Sequence, residues 1–222
     1  EMKTFHDFNC FYINLERRPE KRKFMEEQFN RLKLKVERVE GIDGQTLPDL
    51  EKDRLINELV VRWNTKQERQ LGRIGCCLSH FKALKIAVDR CLDNILIFED
   101  DVNIMGHTLT NLPQDSGILY LGGTVDSKAK IKPIVNQDDW TEIKNYRFLG
   151  AIAYIIIGKE NIKWVYDRVT SPRMRAIDIL YTREIQKYKP CYFIKKTTPN
   201  FTFDSDCTFI GSTKPTLYGG RY

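Results

Sequence analysis

The sequence has no apolar run near the ~18 residues that a membrane-spanning helix needs. Its longest, Ala151–Ile157, is strand-sized. The first nine residues are polar and aromatic and contain no apolar leader core, so the expectation is a cytoplasmic protein or a soluble domain of something larger. The opening Glu1-Met2 is compatible with a leader removed upstream. Histidine is scarce, at three residues, and the six cysteines (Cys10, Cys76, Cys77, Cys91, Cys191, Cys207) include no C-x-x-C pair. Both facts argue against a Cys/His metal site and for free thiols. No Gly-x-x-x-x-Gly-Lys-Ser/Thr loop is present, which argues against a P-loop enzyme. Internal repeats and low-complexity segments are also missing.

The chain has 222 residues, 41% of them apolar and 30% charged, enough to bury one sizeable core without disulfides. The charge is 36 − 30 = +6. The basic residues Arg17, Arg18, Lys21, Arg22 and Lys23 are interleaved with Glu20, Glu26 and Glu27. Mixed signs at helical spacing read as a solvated face, which argues against nucleic acid as the partner and leaves room for a small anion such as a nucleotide.

Apolar patterning predicts a buried first strand at Phe11–Leu15 and a helix opened by Pro19 and running to about Leu34. It then predicts a strand at Val36–Val39, a turn at Gly41–Gly44, and a helix from Pro48 to about Trp63. Asn64–Arg73, all polar but for Leu71, is expected to be a surface loop, and Ile74–Asp89 a helix. Strands are expected at Asn94–Phe98, whose continuous apolar run implies a central parallel position, and at Ile118–Leu121, Ala151–Ile157 and Tyr192–Ile194, with helices at Lys159–Arg168 and Ile177–Tyr188. Strand–helix alternation over the first 120 residues predicts an α/β fold, a single domain with a mostly parallel central sheet flanked by helices.

Glu99-Asp100-Asp101 directly follows the apolar run Ile95–Phe98. Ligands of open α/β sheets bind at the carboxyl ends of strands. Three adjacent carboxylates repel one another unless a cation or hydrogen bonds compensate. A metal–nucleotide site and an acidic turn that merely caps the next element both fit that pattern.

Several segments, in order, resemble glycosyltransferase family 25, the lipopolysaccharide and procollagen galactosyltransferase group. They are Tyr12–Leu15 with Arg17–Arg22, Gly41–Gly44, Gly72–His80, Ile95–Val102, Gly150–Tyr154 and Ala176–Asp178. Arg73 departs from the pattern, standing where the family usually has an acidic or small residue, and residues 199–222 match only through Ser205-Asp206.

The resemblance implies a GT-A-like (Rossmann-like) fold, a UDP-sugar donor, Mn²⁺ (or Mg²⁺) and inversion at the anomeric carbon. It implies a nucleotide-sugar half over about 10–122 and an acceptor half over about 123–222, within one domain at 1–222. The expected acceptor is a hydroxyl on a glycan or a protein. Asp101 is expected as the first metal ligand, with Glu99 as a second ligand, and Glu99 or Asp100 reaching the ribose or a metal-bound water. Ile13, Asn14 and Arg17 are expected beside the nucleotide, with a solvated face as the bland reading of the arginines. Ser79 and His80 are adjacent on a helix and point about 100° apart, so they do not form a nucleophile–base pair. His80 is expected as a buried, hydrogen-bonded residue near the donor, with diphosphate contact by Ser79 or His80, or mere packing, as the alternatives. Asp178 is the expected catalytic base, kept ionised by Arg175 or Arg183, with Asp206 in reserve; a helix N-cap is the bland reading of either. A catalytically inactive module of the same fold is the competing reading.

Overall fold

In the computed structural model, which describes residues 2–59, 66–104, 106–125, 139–143, 148–194 and 201–203, side chains of the central strands alternate between two cores. In β2 (Asn9–Asn14), Phe11 and Ile13 enter one core while Cys10 and Tyr12 enter the other. In β4 (Asn94–Glu99), Ile95 and Ile97 face the first core and Leu96 and Phe98 the second. Both faces are covered, so these strands read as unbroken apolar runs.

The other strands are β1 (Met2–Thr4), β3 (Val36–Glu40), β5 (Val102–Ile104), β6 (Thr108–Thr110), β7 (Leu119–Val125), β8 (Trp140–Glu142), β9 (Phe148–Ile157), β10 (Tyr192–Ile194) and β11 (Phe201–Phe203). The helices are α1 (Pro19–Arg31), α2 (Asp49–Glu58), α3 (Gln67–Asp89), α4 (Lys159–Thr170) and α5 (Ile177–Leu180), the last running on into a wider π-type turn at Tyr181–Gln186. The seven-stranded sheet has the order β3-β2-β4-β9-β7-β10-β8. Strands β3, β2, β4, β7 and β10 share one direction, and β9 and β8 oppose it. The fold is therefore α/β with a mixed, largely parallel sheet between helices.

Two sequence expectations are corrected. β4 is central but not flanked by parallel strands on both sides, because β9 lies antiparallel between β4 and β7. A parallel neighbour requires a crossover of a dozen or more residues, usually helical. No helix separates β7 from β9 among the described residues, so the chain returns antiparallel. Secondly, Gln67–Arg73 is not loop but the first two turns of α3. Gln, Glu and Arg are good helix formers, and here they face solvent. Polarity was a sign of exposure and not of irregular backbone. The three-residue strands β1, β5, β6, β8 and β11 carry no legible pattern, unlike the equally short β10, whose three residues are all apolar or aromatic.

Candidate active site

The Gly41–Gly44 turn after β3 lies directly on α3. A Cβ on Gly44 would sit 2.0 Å from the Leu71 carbonyl oxygen, and one on Gly75 would sit 2.5 Å from the Ile42 carbonyl oxygen. Only glycine permits this backbone-to-backbone approach. Ser79 closes the same joint. Its hydroxyl donates to the Gly75 carbonyl at 2.6 Å and accepts from the Ile42 amide at 2.7 Å. Ser79 is thus a buried staple between turn and helix and does not serve as the expected diphosphate contact.

The three acids at the end of β4 separate. Asp100 is buried and accepts from Asn14 Nδ2 at 2.7 Å and from Arg18 at 3.2 Å. Burial pushes its carboxyl up, and Asn14 and Arg18 oppose that shift. Asn14 is also buried. It donates to the Arg18 carbonyl and accepts from Arg38 Nε, both at 3.2 Å. Each polar atom of the Asn14 side chain already has a protein partner. The expected nucleotide contact is replaced by a clamp that ties β2 to the turn after β4. Ile13 is core. Asp101 is buried in that turn. Arg17 is the exposed member of the group: its side chain is 61% accessible and its Nε donates to Asp43 across the mouth of the β2 and β3 ends.

Glu99 turns the other way. His80 Nε2 lies 3.1 Å from its Oε1, and Cys76 Sγ lies 3.7 Å from the same oxygen. His80 Nδ1 is 2.8 Å from the Tyr154 hydroxyl, which in turn accepts from Tyr181 at 2.7 Å. The chain Tyr181 to Tyr154 to His80 to Glu99 leaves the Nε2–H facing the carboxylate, so each buried polar group is satisfied. His80 is buried and hydrogen-bonded, as the sequence predicted. Cys77, one residue from Cys76, is buried and its thiol is pushed up to about 12, which disqualifies it as a nucleophile.

Asp178 sits in the first turn of α5, two residues after the capping position, which is held by Ala176. Its Oδ2 accepts from the Gly150 amide at 3.1 Å and its Oδ1 from the Ile179 amide at 2.7 Å. Gly150 has φ +81°, a conformation that favours glycine, and this aims its amide at the carboxylate. Burial raises the Asp178 pKa; the two amides lower it, Glu99 adds to the rise and Arg73 counters it. Arg73, and not Arg175 or Arg183, is the cation that acts on Asp178. Asp206 lies outside the described residues.

Glu99, His80 and Cys76 thus meet at the end of β4, and Asp178, bonded to Gly150 in β9, lies near enough for the Glu99 charge to act on its carboxyl. The acid triplet as a whole does not converge into a three-carboxylate pocket for a hard cation. Among the described residues, the one group whose donor atoms lie within 4.8 Å of one another is Cys76, His80 and Glu99. Cys76 and His80 form no C-x-x-C pair, yet four residues apart they share one helix face.

A family model described as glycosyltransferase family 25 (LPS biosynthesis protein) matches residues 8–157. The chain belongs to glycosyltransferase family 25. A family 25 member from Drosophila pseudoobscura pseudoobscura is 38% identical over 101 residues, 42% of this chain and 16% of that protein. Human procollagen galactosyltransferase 2 is 34% identical over 95 residues, 41% of this chain and 15% of that protein. A mouse protein named inactive glycosyltransferase 25 family member 3 is 30% identical over 95 residues, 41% of this chain and 16% of that protein. The chain thus matches about a sixth of the length of these curated relatives. The family match runs from before β2 through β9 and so includes the turn–α3 joint and the Glu99 cluster, but not Asp178. No described helix is long and apolar enough to cross a membrane.

Proposed function

We propose that this family 25 chain is an inverting glycosyltransferase of GT-A type, moving a hexose (galactose or glucose) from a UDP-sugar to a hydroxyl on a glycan or protein. The observation that carries this reading is the pairing of Glu99 with His80 at the carboxyl end of β4, where open α/β sheets take their ligands, with the buried carboxyl of Asp178 within reach of the Glu99 charge. The relative named as a procollagen galactosyltransferase supports galactose and a protein acceptor. Residues of about 10–122 would receive the nucleotide, and those from 123 onward would face the acceptor.

In this reading, Asp178 takes the proton of the acceptor hydroxyl as its oxygen attacks the anomeric carbon. The C–O bond to the diphosphate breaks on the opposite face, and UDP leaves with the electron pair. The two backbone amides hold the Asp178 carboxylate still, so its remaining lone pairs keep one direction. Arg17, exposed at the mouth, would contact the diphosphate. A divalent cation, Mn²⁺ (or Mg²⁺), bound at Asp101, with Glu99 turned instead to His80 and Cys76, would neutralise the charge developing on the diphosphate.

UDP release from UDP-galactose and UDP-glucose, with Mn²⁺ and then with excess chelator, tests the reading. Turnover that the chelator abolishes is expected, and absence of release from either donor with any hydroxyl acceptor would remove it. Asp101→Ala should weaken metal-dependent UDP binding at least ten-fold, and unchanged calorimetric affinity would take Asp101 out of the metal's shell. Arg17→Ala should cost about 1 kcal/mol of UDP affinity, because the side chain is solvent-screened and shared with Asp43. A loss close to zero would return Arg17 to a solvated face.

One observation favours a second reading, that of a catalytically inactive binding module. Asn14, Ser79, Asp100 and Asp178 all spend hydrogen bonds on the protein itself. UDP binding without release would decide for that module.

A further inference from the structure

We propose that Cys76, His80 and Glu99 form a binding site for a borderline-soft divalent cation of the Zn²⁺ class. The inference rests on this geometry and not on the transferase reading. Cys76 and His80 are four residues apart on α3, so their side chains lie on one face, one turn from each other. Glu99 ends β4 directly opposite them. A tetrahedral Zn²⁺ takes sulfur at ~2.3 Å and nitrogen or oxygen at ~2.0–2.2 Å, which puts its ligand atoms roughly 3.3–3.7 Å apart. The carboxylate oxygen already stands 3.1 Å from His80 Nε2 and 3.7 Å from Cys76 Sγ. All three donors lie within 4.8 Å. Metal binding would draw the Cys76 side chain, which sits at the surface, across the remaining gap.

The donor chemistry selects the ion. Thiolate, imidazole and one carboxylate suit Zn²⁺ or Co²⁺, whereas Mg²⁺ and Ca²⁺ take oxygen ligands. Three protein ligands with the Cys76 side open to solvent leave a fourth position for water or a ligand oxygen, the pattern of an open zinc site. The surroundings are already those of a metal-bound histidine, whose second nitrogen is held by a hydrogen bond. Here the Tyr154 hydroxyl holds Nδ1 at 2.8 Å. Without metal, Tyr181 donates to Tyr154, Tyr154 to Nδ1, and Nε2–H to Glu99. When the cation binds, Nε2 yields its proton and Nδ1 carries one. Each phenol, being both donor and acceptor, turns its O–H so that the imidazole donates to Tyr154 and Tyr154 to Tyr181.

Co²⁺ is the probe, added to the full chain after chelator treatment and in a non-thiol reductant. One equivalent should produce the near-ultraviolet thiolate-to-cobalt charge-transfer band together with intense visible bands of four-coordinate Co²⁺. Zn²⁺ should displace it, and a hundred-fold excess of Mg²⁺ should not. Cys76→Ser, a change at an exposed position that the fold tolerates, should abolish the charge-transfer band and weaken Zn²⁺ binding at least ten-fold. Cys91→Ser, at the other exposed described thiol, should leave both unchanged. Glu99→Gln should weaken Zn²⁺ binding at least ten-fold while circular dichroism stays parental. Asp101→Ala should keep the band, which separates this site from the metal of the transferase reading. No band in the parent chain, a band that survives Cys76→Ser, or a band lost in Asp101→Ala would each overturn the proposal.

Discussion

Asp178→Asn should cut sugar transfer at least 10²-fold while leaving UDP affinity within about two-fold, the scale on which loss of a general base shows. The substitution preserves shape and removes basicity. The carboxyl is buried at the first turn of α5 and held by the Gly150 and Ile179 amides. Its pKa is raised mainly by burial, which disfavours the charged form. A base must be ionised to work, so transfer should fall as the pH is lowered through that raised pKa, above the ~3.9 of a free aspartate. The stability consequence has the opposite sign. Between the free and raised pKa values the folded chain binds the proton that the unfolded chain has lost, so this group's contribution to stability declines as pH rises. Arg73→Gln removes a cation that, after the two amides, opposes the rise, and should move the acid limb of the rate profile modestly upward. One amide carbonyl cannot accept from both backbone donors in the geometry of the carboxylate, so the Asn variant should also lose about 1 kcal/mol of stability. Near-parental transfer with that stability loss would make Asp178 a clamp between α5 and β9 and nothing more.

Gly44→Ala should lower stability by about 3 kcal/mol, the upper end for overpacking of a closed site. For a chain of this size that is roughly 6–12 °C in melting temperature. The new methyl group would meet the Leu71 carbonyl oxygen at 2.0 Å and its carbon at 2.7 Å, and neither is a side chain that can rotate away. The turn would have to lift off α3, breaking the bonds of Ser79 to Ile42 and carrying Asp43 away from Arg17. UDP affinity should fall with it. Gly72→Ala is the control, since a methyl group there meets nothing within 4 Å. That change should be neutral or stabilise α3 by up to about 1 kcal/mol through helix propensity. A Gly44→Ala protein that melts within about 2 °C of the parent would show that the turn yields without cost.

The two glycines mark the boundary of what was legible. As a string, Gly41–Gly44 and Gly72–His80 carried the family resemblance, yet nothing in either segment says that Gly44 and Gly75 face each other. Both belong to a joint whose partners are some 30 residues apart. The same holds for the acids. Their position after a buried strand was readable, because an unbroken apolar run followed by charge is local information. Which way each carboxylate turns was not. Asp100 answers to Asn14 and Arg18, more than 80 residues earlier, and Glu99 answers to Cys76 and His80 on a helix.

Periodicity and composition by themselves determined the α/β class, the paired-face burial of β2 and β4 and the start of α1 at Pro19. These depend on residues close in sequence, where the 2.0 and 3.6 periods act. Tertiary structure alone decided the antiparallel insertion of β9, the burial of Asn14, the backbone clamp on Asp178, and the Cys76–His80–Glu99 group. Each arises from contacts between segments that the chain's length lets meet in many ways, and packing selects one of them. Spacing can assign Cys76 and His80 to one helix face, but only the packing of α3 against the end of β4 brings the third donor to them.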